Sequence, residues 1–264
     1  AYGGAIQGDT SETNIVVQRS FFSKNEDIRG GAIAVRNRAT INVSHSMFVS
    51  NSAFQGASLY ALDKAKIIVE KTTMTSGHAT EGGAMYISTK SKIVVLSSTL
   101  TTSVATTSGG ALVVTKESKA TLVQTIVSHN MAPTAAGIEV SFGSSLALET
   151  QSNVTSNIET SLTENRWWYT RTSGLKPAGI DCMTKSTVRL ASDCQLNKNA
   201  PYNIGCDADC TITGVPFAKT CTSVTPAFMS MSSSNCTVVG HGEIILTASV
   251  DVPLLAGTPV VWIG

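Results

Sequence analysis

Short runs of alternating hydrophobic and polar residues recur along the first half of the chain. They centre on Ile15/Val17, Ile41/Val43, Ile67/Val69, Ile93/Val95, Ala120/Leu122 and Leu146/Leu148. Alternation over four or five residues predicts a half-buried strand, with the named residues facing a core and those between them facing solvent. Helical periodicity is absent, so each unit is expected to supply two or three short strands. The joining turns, such as Asn37-Arg38-Ala39, Lys64-Ala65, Lys90-Ser91-Lys92 and Glu117-Ser118-Lys119, collect most of the charge.

The strands are punctuated at fixed intervals. Aligning each Gly-Gly-Ala on its second glycine gives Gly4, Gly31, Gly56, Gly83 and Gly110, with spacings of 27, 25, 27 and 27. Gln55-Gly56-Ala57 is a degenerate copy, and Ala135-Ala136-Gly137-Ile138 is a weaker one. The units end at Asn25, Asn51, Asn130 and Asn157, with Gly77 and Ser103 in the intervening two. A repeat of this length is the mark of a solenoid, in which each unit is stable only against its neighbours. A leucine-rich repeat would need Leu-x-x-Leu-x-Leu, which is missing here. The expected fold is all-β: a parallel β-helix of about seven coils, rising ~4.8 Å per coil. Glycine then turns tight corners without steric cost, and the terminal Asn satisfies turn backbone in a ladder of its own kind.

Gly-Gly-Ala-Ile at residues 3–6 and 30–33 is followed each time by Phe-x-x-Asn, at residues 22–25 and 48–51. This combination resembles the repeat of the chlamydial polymorphic outer-membrane proteins. The resemblance covers roughly residues 1–157, and later units keep the glycines but lose the Phe. It implies a right-handed, pectin-lyase-like β-helix of the kind used in adhesins and large surface proteins.

The spacing breaks after Asn157, where an insertion at about 158–176 carries the aromatic cluster Trp167, Trp168 and Tyr169. An insertion in a solenoid maps to a loop on one flank, so this is a candidate contact loop for sugar rings or a protein partner. Coils are expected to continue to residue 210. Residues 211–264 read as a β-rich, disulfide-held cap or assembly segment with an apolar tail containing Leu254, Leu255, Trp262 and Ile263. The sequence opens inside a repeat. Covering of one subunit's first coil by this tail in the next would be a heterologous contact that builds open filaments.

All six cysteines, Cys182, Cys194, Cys206, Cys210, Cys221 and Cys236, lie in the last third, which points to local disulfides and an oxidising compartment. Cys182 and Cys206 occupy matching places after Ile180 and Ile204 and are expected to stack in neighbouring coils; the pairing stays open. Three sequons begin at Asn42, Asn153 and Asn235. The alternation turns Asn42 and Asn153 outward, as glycosylation requires. Ser and Thr together make up 65 of 264 residues, charged residues are 14% and the net charge is +1. That composition offers no basic stripe for phosphates, so nucleic acid is not an expected partner. No run is apolar and long enough to span a bilayer.

Fold alone leaves room for a polysaccharide lyase or hydrolase, chemistry that needs carboxylates grouped on one face. Asp9, Asp27 and Asp63 are expected in different phases of the coil, neither paired for glycoside hydrolysis nor clustered for a metal. Gly240-His241-Gly242 is similar to a short polygalacturonase motif, but the Asp-Asp and Arg-x-Lys partners of that family are missing. His45, His78, His129 and His241 share no ligand spacing. The expectation is a secreted or surface-exposed structural or adhesive glycoprotein, with no catalytic residue, metal or cofactor. It would associate end to end and meet carbohydrate or a cell-surface protein. A carbohydrate-active enzyme and a monomeric sugar-binding module are the alternatives.

Overall fold

The computed structural model describes residues 2–160, 177–200, 202–206, 209–214, 219–220, 227–231 and 236–239. In the body each coil supplies four short strands, one to each of four sheets. The second coil is representative: Ile33–Val35 lies in sheet 1, Thr40–Ser44 in sheet 2, Met47–Val49 in sheet 3 and Ser52–Gln55 in sheet 4. Among the described residues sheet 3 has seven strands and sheet 4 has six, because the seventh coil adds no strand to sheet 4. The fold is a parallel β-solenoid.

Four strands, not two or three, make the turn. Sheet 4 escapes the hydrophobic pattern because its inward places are filled by small residues, Ala79, Ala105 and Ala132, each nearly fully buried. Beyond them its strands are polar, as in His78–Glu81.

Pairing is in register, so equal places in the repeat stack. Ile15, Ile41, Ile67, Ile93, Ala120, Leu146, Val188 and Ile212 form one column of sheet 2. On sheet 3 the inward column runs Phe22, Phe48, Met74, Leu100, Val127, Val154 and Leu196, all buried. The rings of Phe22 and Phe48 stack with centroids 4.7 Å apart.

The glycine corner has two distinct needs. Gly30 has φ +66° and its neighbour Gly31 presses on the next coil, where a Cβ would lie 2.3 Å from the Ser52 carbonyl oxygen. Gly56 shares the first of these conformations, with φ +64°. It therefore matches Gly30 rather than Gly31, and Ala57 takes the second place. The left-handed corner residues are then Gly3, Gly30, Gly56, Gly82, Gly109 and Ala135, spaced 27, 26, 26, 27 and 26, and the irregular interval of 25 disappears.

Polar ladders close the other corners. Asn25 donates its backbone N–H and Nδ2 to Asn51 Oδ1, both at 2.9 Å. The same two bonds recur from Asn130 to Asn157, from Asn157 to Asn199 and from Asn199 to Asn203. Ser103 fills the Asn place by accepting from the Gly77 N–H. Hydroxyl ladders stand at two further corners. Backbone N–H groups of Ser91, Ser118 and Ser144 donate to the hydroxyls of Ser118, Ser144 and Ser186. Those of Ser20, Ser46 and Thr72 donate to Ser46, Thr72 and Ser98. The accepting hydroxyls are buried in the coil, where they pair backbone that would otherwise be left without a partner.

Ile158–Glu159 is a strand of sheet 4, so the insertion begins later than residue 158. Thr211–Gly214 still pairs in parallel with Thr187–Leu190, which carries the solenoid past residue 210. The direction then reverses: Lys219–Thr220 and Ala227–Met231 pair antiparallel onto the last coil, and Cys236–Val239 pairs antiparallel onto the latter. Among the described residues no helix is long and apolar enough to cross a membrane.

Candidate functional site

The densest polar constellation lies on the outer face of sheet 1, near the first coils. Here the outward residue of four successive three-residue strands is also buried: Ala34, Tyr60, Tyr86 and Val113 form a second apolar cluster. Tyr60 and Tyr86 are register neighbours whose rings stack 5.7 Å apart. Arg29, Gln55 and Glu81, at the ends of successive sheet 4 strands, form a side-chain ladder. Arg29 also donates to the Tyr2 hydroxyl at 2.6 Å, and Arg36 lies over the Tyr2 ring while it pairs with Asp9. Burial pushes the Tyr60 phenol up to about 12, and it raises Tyr86 further. The Arg36 hydrogen bond holds the Asp9 carboxyl below its usual range. Arg36 and Asp9 form the ion pair of this group, and the Gln55 amide bridges Arg29 to Glu81. The signal in the sequence was Tyr60 and Tyr86 at one repeat's distance.

The sequons fall where the alternation places them. Ile41, Val43 and Val154 are buried, and Asn42 and Asn153 point outward from sheets 2 and 3. Both are half-buried. Asn42 sits between Val16 and Ile68 of the adjacent coils. Asn153 accepts from the Gln195 N–H at 3.2 Å and borders a shallow depression with Gln124, Ile126 and Asp193. Asn235, Trp167, Trp168, Tyr169, Cys221, His241, Leu254, Leu255, Trp262 and Ile263 lie outside the described residues.

Cys182 and Cys206 are register neighbours in sheet 1, but Cys182 bridges to Cys210, with Cα atoms 6.0 Å apart. The bond ties the seventh coil to the corner that follows the next strand of sheet 1. Cys206 is disulfide-bonded as well. Cys194, expected among the bridged cysteines, is instead a free, half-buried thiol. It stands at the corner between sheets 2 and 3, whereas Cys182, Cys206 and Cys210 gather at sheet 1 and its corner with sheet 2. Burial raises its pKa, which lowers its thiolate fraction.

Asp27 stands on sheet 4, while Asp9 and Asp63 border one shallow depression with Asn37, Arg38, Lys64 and Thr89. Asp9 is engaged there by Arg36 and Asn37. Among the described residues no group of His, Cys, Asp or Glu is placed to hold a metal ion. His45 and His129 occupy left-handed corner positions and His78 a strand of sheet 4. Comparison with models of protein families, with curated proteins and with solved structures finds no match. The fold class, a parallel β-solenoid, therefore rests on the coordinates and the repeat.

Proposed function

We propose that the protein is an extracellular structural or adhesive glycoprotein that acts through the outer faces of its coils and through end-to-end contact between subunits, without catalysis. The observation that carries this reading is the outward setting of Asn42 and Asn153 on a chain whose last coils are joined by Cys182–Cys210. Disulfides and occupied sequons belong together in the secretory route. Kinship with the chlamydial polymorphic outer-membrane protein repeat, and with it a right-handed pectin-lyase-like coil, is part of the proposal. The two complete motif copies at residues 3–25 and 30–51 support it.

Expression through a eukaryotic secretory pathway tests the reading. N-glycosidase is expected to lower the mass of the secreted protein. The Asn42→Gln and Asn153→Gln substitutions should each remove one glycan, with further change only from Asn235. Folded, secreted protein with Asn42 and Asn153 unmodified contradicts it.

A further inference from the structure

We propose that the edge between sheets 1 and 2 is a binding ridge for a linear acidic polysaccharide. Lys66, Lys92 and Lys119 are in-register partners on sheet 2, so they rise one above another at ~4.8 Å. Arg38, Lys64 and Lys90 form a second row at the adjoining corner, where each backbone N–H bonds the next coil; Glu117 holds the fourth place in that row, and Lys116 stands one residue before it. All seven are exposed, and they are seven of the 19 Lys and Arg in the chain. The carboxylates close by are Asp9 and Asp63, which border one depression with Arg38 and Lys64, then Glu117 and, four residues along the strand from Lys66, Glu70. Glu117 pairs with Lys90 at 3.4 Å, and Glu70 pairs with Lys71. Among the described residues Lys66, Lys92 and Lys119 make no ion pair.

Like charges directly opposite on neighbouring strands oppose pairing. The fold thus carries an unfavourable column that a bound polyanion would relieve. The shape selects the polyanion. Lys64 and Lys66, and Lys90 and Lys92, are two residues apart across the corner, so the two rows run side by side up the stack, which suits one extended chain. Duplex nucleic acid presents phosphates across a major groove about 12 Å wide. Single-stranded nucleic acid takes much of its affinity from successive aromatic platforms; no ring lies along the Lys66, Lys92 and Lys119 column, and one exposed ring, Phe142, stands a coil beyond Lys116. Beside the lysines runs a flat column of Ile68, Val94 and Thr121, which offers low, weakly polar relief to a sugar ring. The ridge gives the adhesive reading a partner class, and rests on that reading for the polymer's presence outside the cell.

Heparin serves as the probe, titrated against the intact protein at several salt concentrations, beside an oligothymidylate of matched length and charge. The Lys66→Gln/Lys92→Gln/Lys119→Gln protein is expected to bind heparin at least about tenfold more weakly, with the salt slope reduced by about two. Its melting temperature should be unchanged or higher. Arg38→Gln/Lys64→Gln/Lys90→Gln should weaken binding similarly. Lys24→Gln/Lys198→Gln, on exposed corners between sheets 3 and 4, should leave it within about twofold. Wild-type affinity in both triple variants overturns the ridge, and equal affinity for the oligothymidylate overturns the polysaccharide assignment. Neither result bears on glycosylation or assembly, so the ridge fails separately from the wider reading.

Discussion

An Asn157→Ala protein is expected to lose about 3–6 kcal/mol of stability, because at least three buried hydrogen-bonding groups lose their partners at ~1–3 kcal/mol each, less what relaxation recovers. Asn157 is fully buried. Its Oδ1 accepts from the backbone N–H and the Nδ2 of Asn130, and its own Nδ2 donates to Asn199 Oδ1 and to the Val127 carbonyl. Alanine removes all four bonds at a site with no solvent exposure. In a solenoid such a loss falls on the interfaces between neighbouring coils. Hydrogen exchange should therefore accelerate most in residues 126–132 and 195–199. Asn157→Ser is expected to cost less, since Ser103 holds the equivalent place with a single acceptor. Equal urea midpoints for wild type and Asn157→Ala would show that the ladder is not a source of stability.

Phe48→Ala is expected to cost about 3–5 kcal/mol, the range for emptying a buried aromatic site. Phe48 is fully buried between Phe22 and Met74. Its stacking on Phe22 at 4.7 Å and 10° adds a contribution beyond area that alanine also removes. Phe48→Met should recover about half of that, because methionine already fills this column one coil on and adapts to irregular gaps. Urea unfolding with unchanged m-values checks the order wild type, Phe48→Met, Phe48→Ala.

These sites show why parts of the fold were legible in the sequence. Wherever the inward residue is large and its neighbours polar, as at Ile41 and Val43, the alternation fixes strand and face together. Asn51 and Asn157 announced their ladder because one residue type served one corner repeatedly. Sheet 4 was hidden because its inward alanines carry little hydrophobic contrast. Gly56 was misaligned because a degenerate Gly-Ala pair fits either place, and only its positive φ decides between them. The serine ladders were diluted in a chain rich in exposed serine and threonine.

The candidate sites divide in the same way. Asn42 and Asn153 followed from local alternation. The cysteine pairing did not, since Cys182 has Cys206 beside it in register and yet bonds Cys210 at the corner. Cys194 was grouped with the others by sequence proximity, although the coil carries it to a different corner. The lysine ridge was concealed by a net charge of +1: its members lie a whole repeat apart in sequence, and become neighbours only when the coils stack.

Negative-stain microscopy of the intact protein at high concentration tests the structural-protein reading most directly. Filaments are predicted for the intact chain, and single particles once the residues after Pro253 are removed. Single particles from the intact protein at every concentration, or filaments that survive the truncation, would contradict it.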